Sequence, residues 1–193
     1  MARSKQKSSA MRLTRLRGGS FRCPCILSFP NLHRAVSGKD GETPKYTMAA
    51  IIPKDIDLSE LEDAIEDCIK EKWADKRPKK LQLPIRDGEE YEEKEGYDDT
   101  VVFFNARNTR RPYVKDMAGE NIEDPEETYP GCRGFVIFDP YAYDTDGNRG
   151  VGMSLKGFVK AAEGERLGGA APNDPDEDME DLDEDFDPEE FSF

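Results

Sequence analysis

The last twenty-one residues, 173–193, constrain this chain more than any other segment, because they cannot contribute to a core. They hold twelve Asp or Glu and no Lys or Arg. Such a run buries too little apolar surface to offset its ordering entropy, so it reads as a disordered acidic tail. Met179, Leu182, Phe186, Phe191 and Phe193 are nevertheless spaced through the acid, and a plain solubility tail has no need of them. Dense negative charge with occasional flat rings is also what a single strand of nucleic acid presents. The segment can therefore compete for a groove built for such a strand, or dock on a partner's basic pocket.

Setting the tail aside changes the charge of what remains. Of the formal −14, the tail holds −12 and residues 1–22 hold +7, which leaves −9 on residues 23–172. The low pI therefore does not exclude nucleic-acid binding, but it requires a local patch rather than a uniformly basic domain. Residues 1–19 are rich in Arg, Lys and Ser, end in Gly18-Gly19, and read as a flexible basic arm. The middle, residues 20–172, is the size of one domain with an ordinary core. No stretch has the roughly 18 apolar residues of a membrane span, and the basic start lacks the apolar segment of a secretory signal, so a cytoplasmic protein is expected.

Strand patterns dominate the middle. Phe21, Cys23, Cys25 and Leu27 alternate with Arg22, Pro24, Ile26 and Ser28. Further strands are predicted at Lys45–Ile52, Thr100–Arg107, Gly134–Tyr143 and Val151–Ala161, the last two joined by a hairpin turn at residues 144–148. The spacing of Leu61, Ala64, Ile65, Cys68 and Ile69 predicts one helix, Asp57 to Trp73. Asp57 with Glu60 suits a capping box, and Ile56 with Leu61 a hydrophobic staple. Residues 87–99 form a long acidic loop. Five strands with a helix between the second and third suit a mainly β, OB-fold-like five-stranded barrel, a shape that commonly binds single strands. An α+β sheet with one packed helix fits the same pattern.

No catalytic constellation emerges. His33 is the only histidine, no Gly-rich phosphate loop is present, and the carboxylates lie in runs rather than in spaced pairs. Cys23, Cys25, Cys68 and Cys132 lack zinc-ligand spacing and read as reduced, mostly buried thiols. The 144–148 turn has Leu155 where a calcium loop needs its bidentate Glu. Neither metal nor cofactor is expected.

The densest basic and aromatic cluster is Arg107, Arg110, Arg111, Tyr113 and Lys115. There the cations can meet phosphates and the ring can stack on a base, although a solvated loop is the alternative reading. Tyr141 and Tyr143 share one strand face and are expected near Arg133, with core packing as the other role for at least one ring. Lys45, Tyr46 and Lys156 are weaker candidates. The basic run Lys76–Lys80 reads as a solvated helix end.

Several segments in order, SFPNLH (28–33), PKYTMAAIIPK (44–54), LPIRDGEE (83–90) and the long run YPGC…YAY…GNRG…L within 129–169, resemble the DUF2815-type single-stranded-DNA-binding proteins of tailed bacteriophages and prophages. The resemblance spans about residues 20–170. It implies an OB barrel, non-enzymatic and sequence-tolerant binding of single-stranded DNA, and a role in phage DNA replication or recombination. The acidic, Phe-ended tail is similar in kind to the C-terminal tails by which other phage and bacterial single-strand binders recruit replication enzymes, so a polymerase, helicase or primase is the expected partner, with Phe186, Phe191 and Phe193 as the expected docking rings; a homo-oligomer is compatible with this reading. The acidic loop 87–99 would then narrow or gate the DNA site. Two other readings remain: an interaction protein whose acidic surface mimics nucleic acid to occupy a partner enzyme, and a virion or scaffold component.

Overall fold

In the computed structural model, residues 11–38, 41–145 and 147–168 are described. The elements run β1 (Thr14–Arg15), β2 (Phe21–Val36), β3 (Lys45–Pro53), α1 (Ser59–Trp73), β4 (Arg86–Asp87), β5 (Val101–Asn108), β6 (Tyr113–Lys115), β7 (Arg133–Thr145) and β8 (Asn148–Ala162). Antiparallel pairing in the order β5-β3-β2-β7-β8 makes a sheet, and a parallel seam, Ala106 with Met153 and Arg107 with Ser154, joins β8 back to β5. The five long strands thus close into an OB-like barrel, as the pattern predicts, with α1 inserted between its second and third strands.

Period-two alternation explains the interior. Phe21, Leu27, Met48, Ile52, Phe104, Phe138, Leu155 and Phe158 all point inward and are almost fully buried. Each such side chain is worth about 1.5–3 kcal/mol of burial. Cys23, Cys25 and Cys132 join this core as free thiols, while Cys68 is half-buried. Burial pushes the Cys23 thiol up to about 12 and the Cys132 thiol to about 11.

Helix α1 starts two residues later than predicted. The Asp57 carboxylate accepts from the backbone N–H and the hydroxyl of Ser59 at 2.9 and 2.7 Å, so it closes a tight turn ahead of the helix. No side chain caps Leu58, the residue before the first helical one. The helix buries Leu61, Ile65 and Ile69 and lies against β7, where the Cys68 thiol donates to the Pro140 carbonyl at 3.6 Å. At its far end Arg77 pairs with Glu66 at 2.7 Å.

Two segments differ from expectation. The second half of the supposed arm is attached to the barrel: Thr14 and Arg15 pair with Arg22 and Phe21, and Leu13 is buried. One inward leucine and one strand pair suffice to anchor it. Residues 1–10 lie outside the described residues, as does the tail with Phe186, Phe191 and Phe193.

The acidic loop is likewise a built structure. Tyr91 and Tyr97 meet Phe103 edge-on, with ring centroids 5.1 and 5.0 Å away, and Ile51, Val101 and Leu167 complete a small second core on the outer wall of β3 and β5. The Tyr97 hydroxyl donates to Ser28 Oγ at 3.1 Å, and Lys94 sits over the Phe29 ring. The carboxylates ring the rim of this lid. Among the described residues no helix is long and apolar enough to cross a membrane.

Candidate nucleic-acid interface

The hairpin β7–β8 outgrows the barrel, and its two faces have different fates. Inward residues Val136, Phe138, Val151, Met153 and Leu155 enter the core, and α1 covers the overhang near Pro140. The outward residues Asp139, Tyr141 and Tyr143 stand on β7 opposite Ser154, Gly152 and Gly150 of β8. A Cβ on Gly152 would come within 2.8 Å of the Tyr141 ring, and one on Gly150 within 2.8 Å of the Tyr143 hydroxyl. The two glycines therefore let both tyrosines lie across the β8 backbone. Tyr143 donates to Gln82 Oε1 at 2.9 Å, which fixes its ring, and the two ring centroids are 6.3 Å apart. Both rings are on the outer surface, so core packing is not the role of either.

The parallel seam brings the end of β5 to the same place. Asn108 Nδ2 donates to Ser154 Oγ at 3.2 Å and to the Leu155 carbonyl at 2.9 Å, holding Arg107 beside Ser154. Lys45 enters from the start of β3. Together with Gln82, Thr109, Asp139 and the hairpin tip these residues line an open groove of about 860 Å³. It lies between the loop after β2 and the β7–β8 turn, the usual ligand position on an OB barrel. Among the described residues, neither Lys45 nor Arg107 has an ion-pair partner, whereas Asp139 is neutralised by Lys156 at 3.0 Å and Asp144 by Arg149 at 3.0 Å. Glu42 is the remaining carboxylate in the lining. Two cations without an ion-pair partner among the described residues, beside two rings laid on glycine backbone, can hold phosphates and stacked bases without reading sequence. A separate cavity of about 720 Å³ follows β2 from Pro30 to Ser37 and reaches Thr128, whose Oγ1 is 3.1 Å from His33 Nε2. It offers no exposed ring, and burial together with the Arg111 charge lowers the His33 pKa.

Of the sequence candidates, Lys45, Arg107, Tyr141 and Tyr143 converge on the groove. The 107–115 cluster does not act as one unit, because the chain crosses from β5 to β6 within it. Arg111 pairs with Glu123 at 3.2 Å, Lys115 Nζ donates to the Gly119 carbonyl at 2.8 Å, and Arg110 is exposed. Tyr113 lies on β6, flat over Gly157 and 43% exposed. Tyr46 packs on the barrel interior, because alternation along β3 places it with Met48 and Ala50. Arg133 begins β7, eight residues before Tyr141, which on an extended strand is about 26 Å away; it is not near the tyrosine pair. Lys156 is tied to Asp139. None of residues 87–99 lines the groove, so the acidic loop does not gate it.

Sequence reasoning missed Gln82, Asn108, Ser154 and the glycines of β8. The signal was present: Gly150 and Gly152 alternate on one face, two positions apart, as do Tyr141 and Tyr143 across the turn.

No curated protein sequence matches this chain significantly. Among solved structures it is similar to the single-stranded DNA-binding protein from bacteriophage Enc34 in complex with ssDNA, with a TM-score of 0.69 and 22% identity over 82% of this chain and 94% of that one. A second structure of the Enc34 protein gives 0.65 and 20%, covering 88% and 95%. Gp2.5, a single-stranded DNA binding protein encoded by bacteriophage T7, gives 0.58 and 15%, covering 80% and 96%. These likenesses concern the fold. At the level of sequence, residues 24–187 match the family described as the ssDNA-binding protein of Enterobacter phage Enc34, and the chain belongs to that family.

Proposed function

We propose that this protein binds single-stranded DNA with little sequence preference, as a non-enzymatic component of phage DNA replication or recombination in the host cytoplasm. The observation that carries this reading is the groove, where two tyrosine rings lie on glycines next to Lys45 and Arg107, neither of which has an ion-pair partner among the described residues. Family membership supports it, and the DUF2815-type assignment is its finer form. Tyr141 and Tyr143 stack on bases, and Lys45 and Arg107 contact phosphates. The acidic tail, through Phe186, Phe191 and Phe193, recruits a polymerase, helicase or primase. In the absence of DNA its carboxylates compete for the basic groove, so removing residues 173–193 tightens DNA binding, most at low salt where screening is weakest.

Fluorescence anisotropy with labelled oligo(dT), against duplex of equal length across a salt series, tests the binding. The single strand is expected to bind more tightly, and its affinity to fall steeply with salt. Equal affinity for the two forms at every salt concentration contradicts the proposal.

A further inference from the structure

The groove uses only part of the outer face of β7 and β8. Further along β8, beyond Lys156, a third tyrosine repeats the same construction. A Cβ on Gly157 would fall 2.4 Å from the Tyr113 ring, so that ring also lies on bare backbone, with its other face toward solvent. Beside it, Arg22 of β2 has its guanidinium 5.7 Å from the centre of the Phe135 ring. Its Nε is buried and has no hydrogen-bond partner. Burial raises the Tyr113 pKa while the neighbouring Arg22 charge lowers it, which places the two groups within electrostatic reach. An aromatic ring presented flat next to an arginine without an ion-pair partner among the described residues is a pairing that suits a base and its phosphate.

We propose that Tyr113 and Arg22 form a second nucleotide subsite, and that the bound strand runs along β8 from Tyr143 and Tyr141, past Ser154 and Lys156, to Tyr113. This rests on the proposed function and specifies its path. Gly152 and Gly157 are five residues apart on the strand, about 17 Å, a distance that a few nucleotides span. The connecting surface is continuous: Ser154 lines the groove, and Lys156 stands between the two subsites with its charge matched by Asp139. The Arg22 side chain rests on Phe135, so the cation is already positioned and little of its freedom is lost on binding.

Length dependence separates the two subsites. Tyr113→Ala and Arg22→Gln are measured against oligo(dT) of about four and about twelve nucleotides, lengths at the low and high parts of the range for one OB barrel. Both variants are expected to bind the short strand as the unaltered protein does and to lose about tenfold on the long one. Arg22→Gln also flattens the salt dependence on the long strand by about 0.7 in the log–log slope. Wild-type affinity at both lengths, or equal losses at both, overturns the subsite. If Tyr141→Ala weakens both lengths while these variants do nothing, the function stands and the path is wrong. If the unaltered protein binds neither length, the function itself fails. Photo-crosslinking of the unaltered protein to a 5-iododeoxyuridine strand decides the matter even if Arg22→Gln does not fold. An adduct at Tyr113 supports the path, and adducts confined to Tyr141 and Tyr143 overturn it.

Discussion

The two halves of the barrel's outer wall are built from the same alternating strands and are finished in opposite ways. On β3 and β5 the outward Ile51, Val101 and Phe103 are covered by the loop carrying Tyr91 and Tyr97, with the carboxylates of residues 87–99 around the rim. On the β7–β8 overhang Tyr141 and Tyr143 face outward over Gly152 and Gly150, Gln82 packs beside Tyr143, and the Tyr141 ring stays exposed. The covered half adds a hydrophobic layer and repels polyanions. The open half keeps aromatic surface on the exterior, where the proposed single strand would stack on it. Alternation alone therefore decides which side of a strand faces out, and the neighbouring segment decides whether that side is structural or functional.

This contrast predicts different consequences for removing a ring from each half. The largest effect is expected on the covered side. Phe103→Ala removes the ring that Tyr91 and Tyr97 both meet and leaves a cavity, costing about 3–5 kcal/mol of stability in chemical denaturation. Its DNA affinity at a temperature where it remains folded should be unchanged. On the open side the pattern reverses. Tyr141→Ala should cost about 1–3 kcal/mol of single-strand affinity with little change in melting temperature, and Tyr143→Ala should act similarly. A loss of stability as large as that of Phe103→Ala would mean that these rings are structural after all.

A smaller effect concerns charge. Arg107→Ala and Lys45→Ala should each reduce the slope of log affinity against log salt by about 0.7, the value for one phosphate contact on a single strand. Neutralising Glu92 and Glu93 on the covered half should leave the slope as it is. The barrel interior, shared by both halves, supplies the smallest effect and a control on both. Cys23, Cys25 and Cys132 have their thiol pKa values raised chiefly by burial, from a starting value of 9.0. Below pH 8 the folded and unfolded chains are both protonated there, so these groups make stability independent of pH. Above about pH 9 the unfolded chain loses thiol protons that the folded chain keeps, and stability falls as pH rises. Replacing the three cysteines with Ala should reduce that alkaline slope in a denaturation series, and the raised Cys68, Tyr97, Tyr113 and Tyr129 should supply what is left.

Much of the architecture was legible because it depends on local period. Phe21 to Leu27, Lys45 to Ile52 and the Leu61–Ile65–Ile69 stripe give their faces directly, and the order of elements limits the fold to a few shapes. β1 and β6, with two and three residues, are too short for any period to register. The site was legible only in part, because it is made by pairings between strands. That Tyr141 lies over Gly152 depends on hairpin register, and that Arg107 meets Ser154 depends on barrel closure; neither is a property of a window of sequence. Composition misled at the 107–115 cluster, where the crossing of residues 109–112 from β5 to β6 sends neighbours in sequence to different surfaces. It misled again at residues 87–99, where two tyrosines set among carboxylates form a lid that acidity alone conceals. The placement of Arg133 near the tyrosine pair overlooked the length of the strand between them.

Hydrogen–deuterium exchange with and without saturating oligo(dT) tests the division of the wall most directly. Slowed exchange is expected around residues 45–47, 107–109 and 139–156, with residues 88–99 unchanged. Protection confined to residues 88–99 and the strands beneath them, with the β7–β8 hairpin unaffected, would contradict the account.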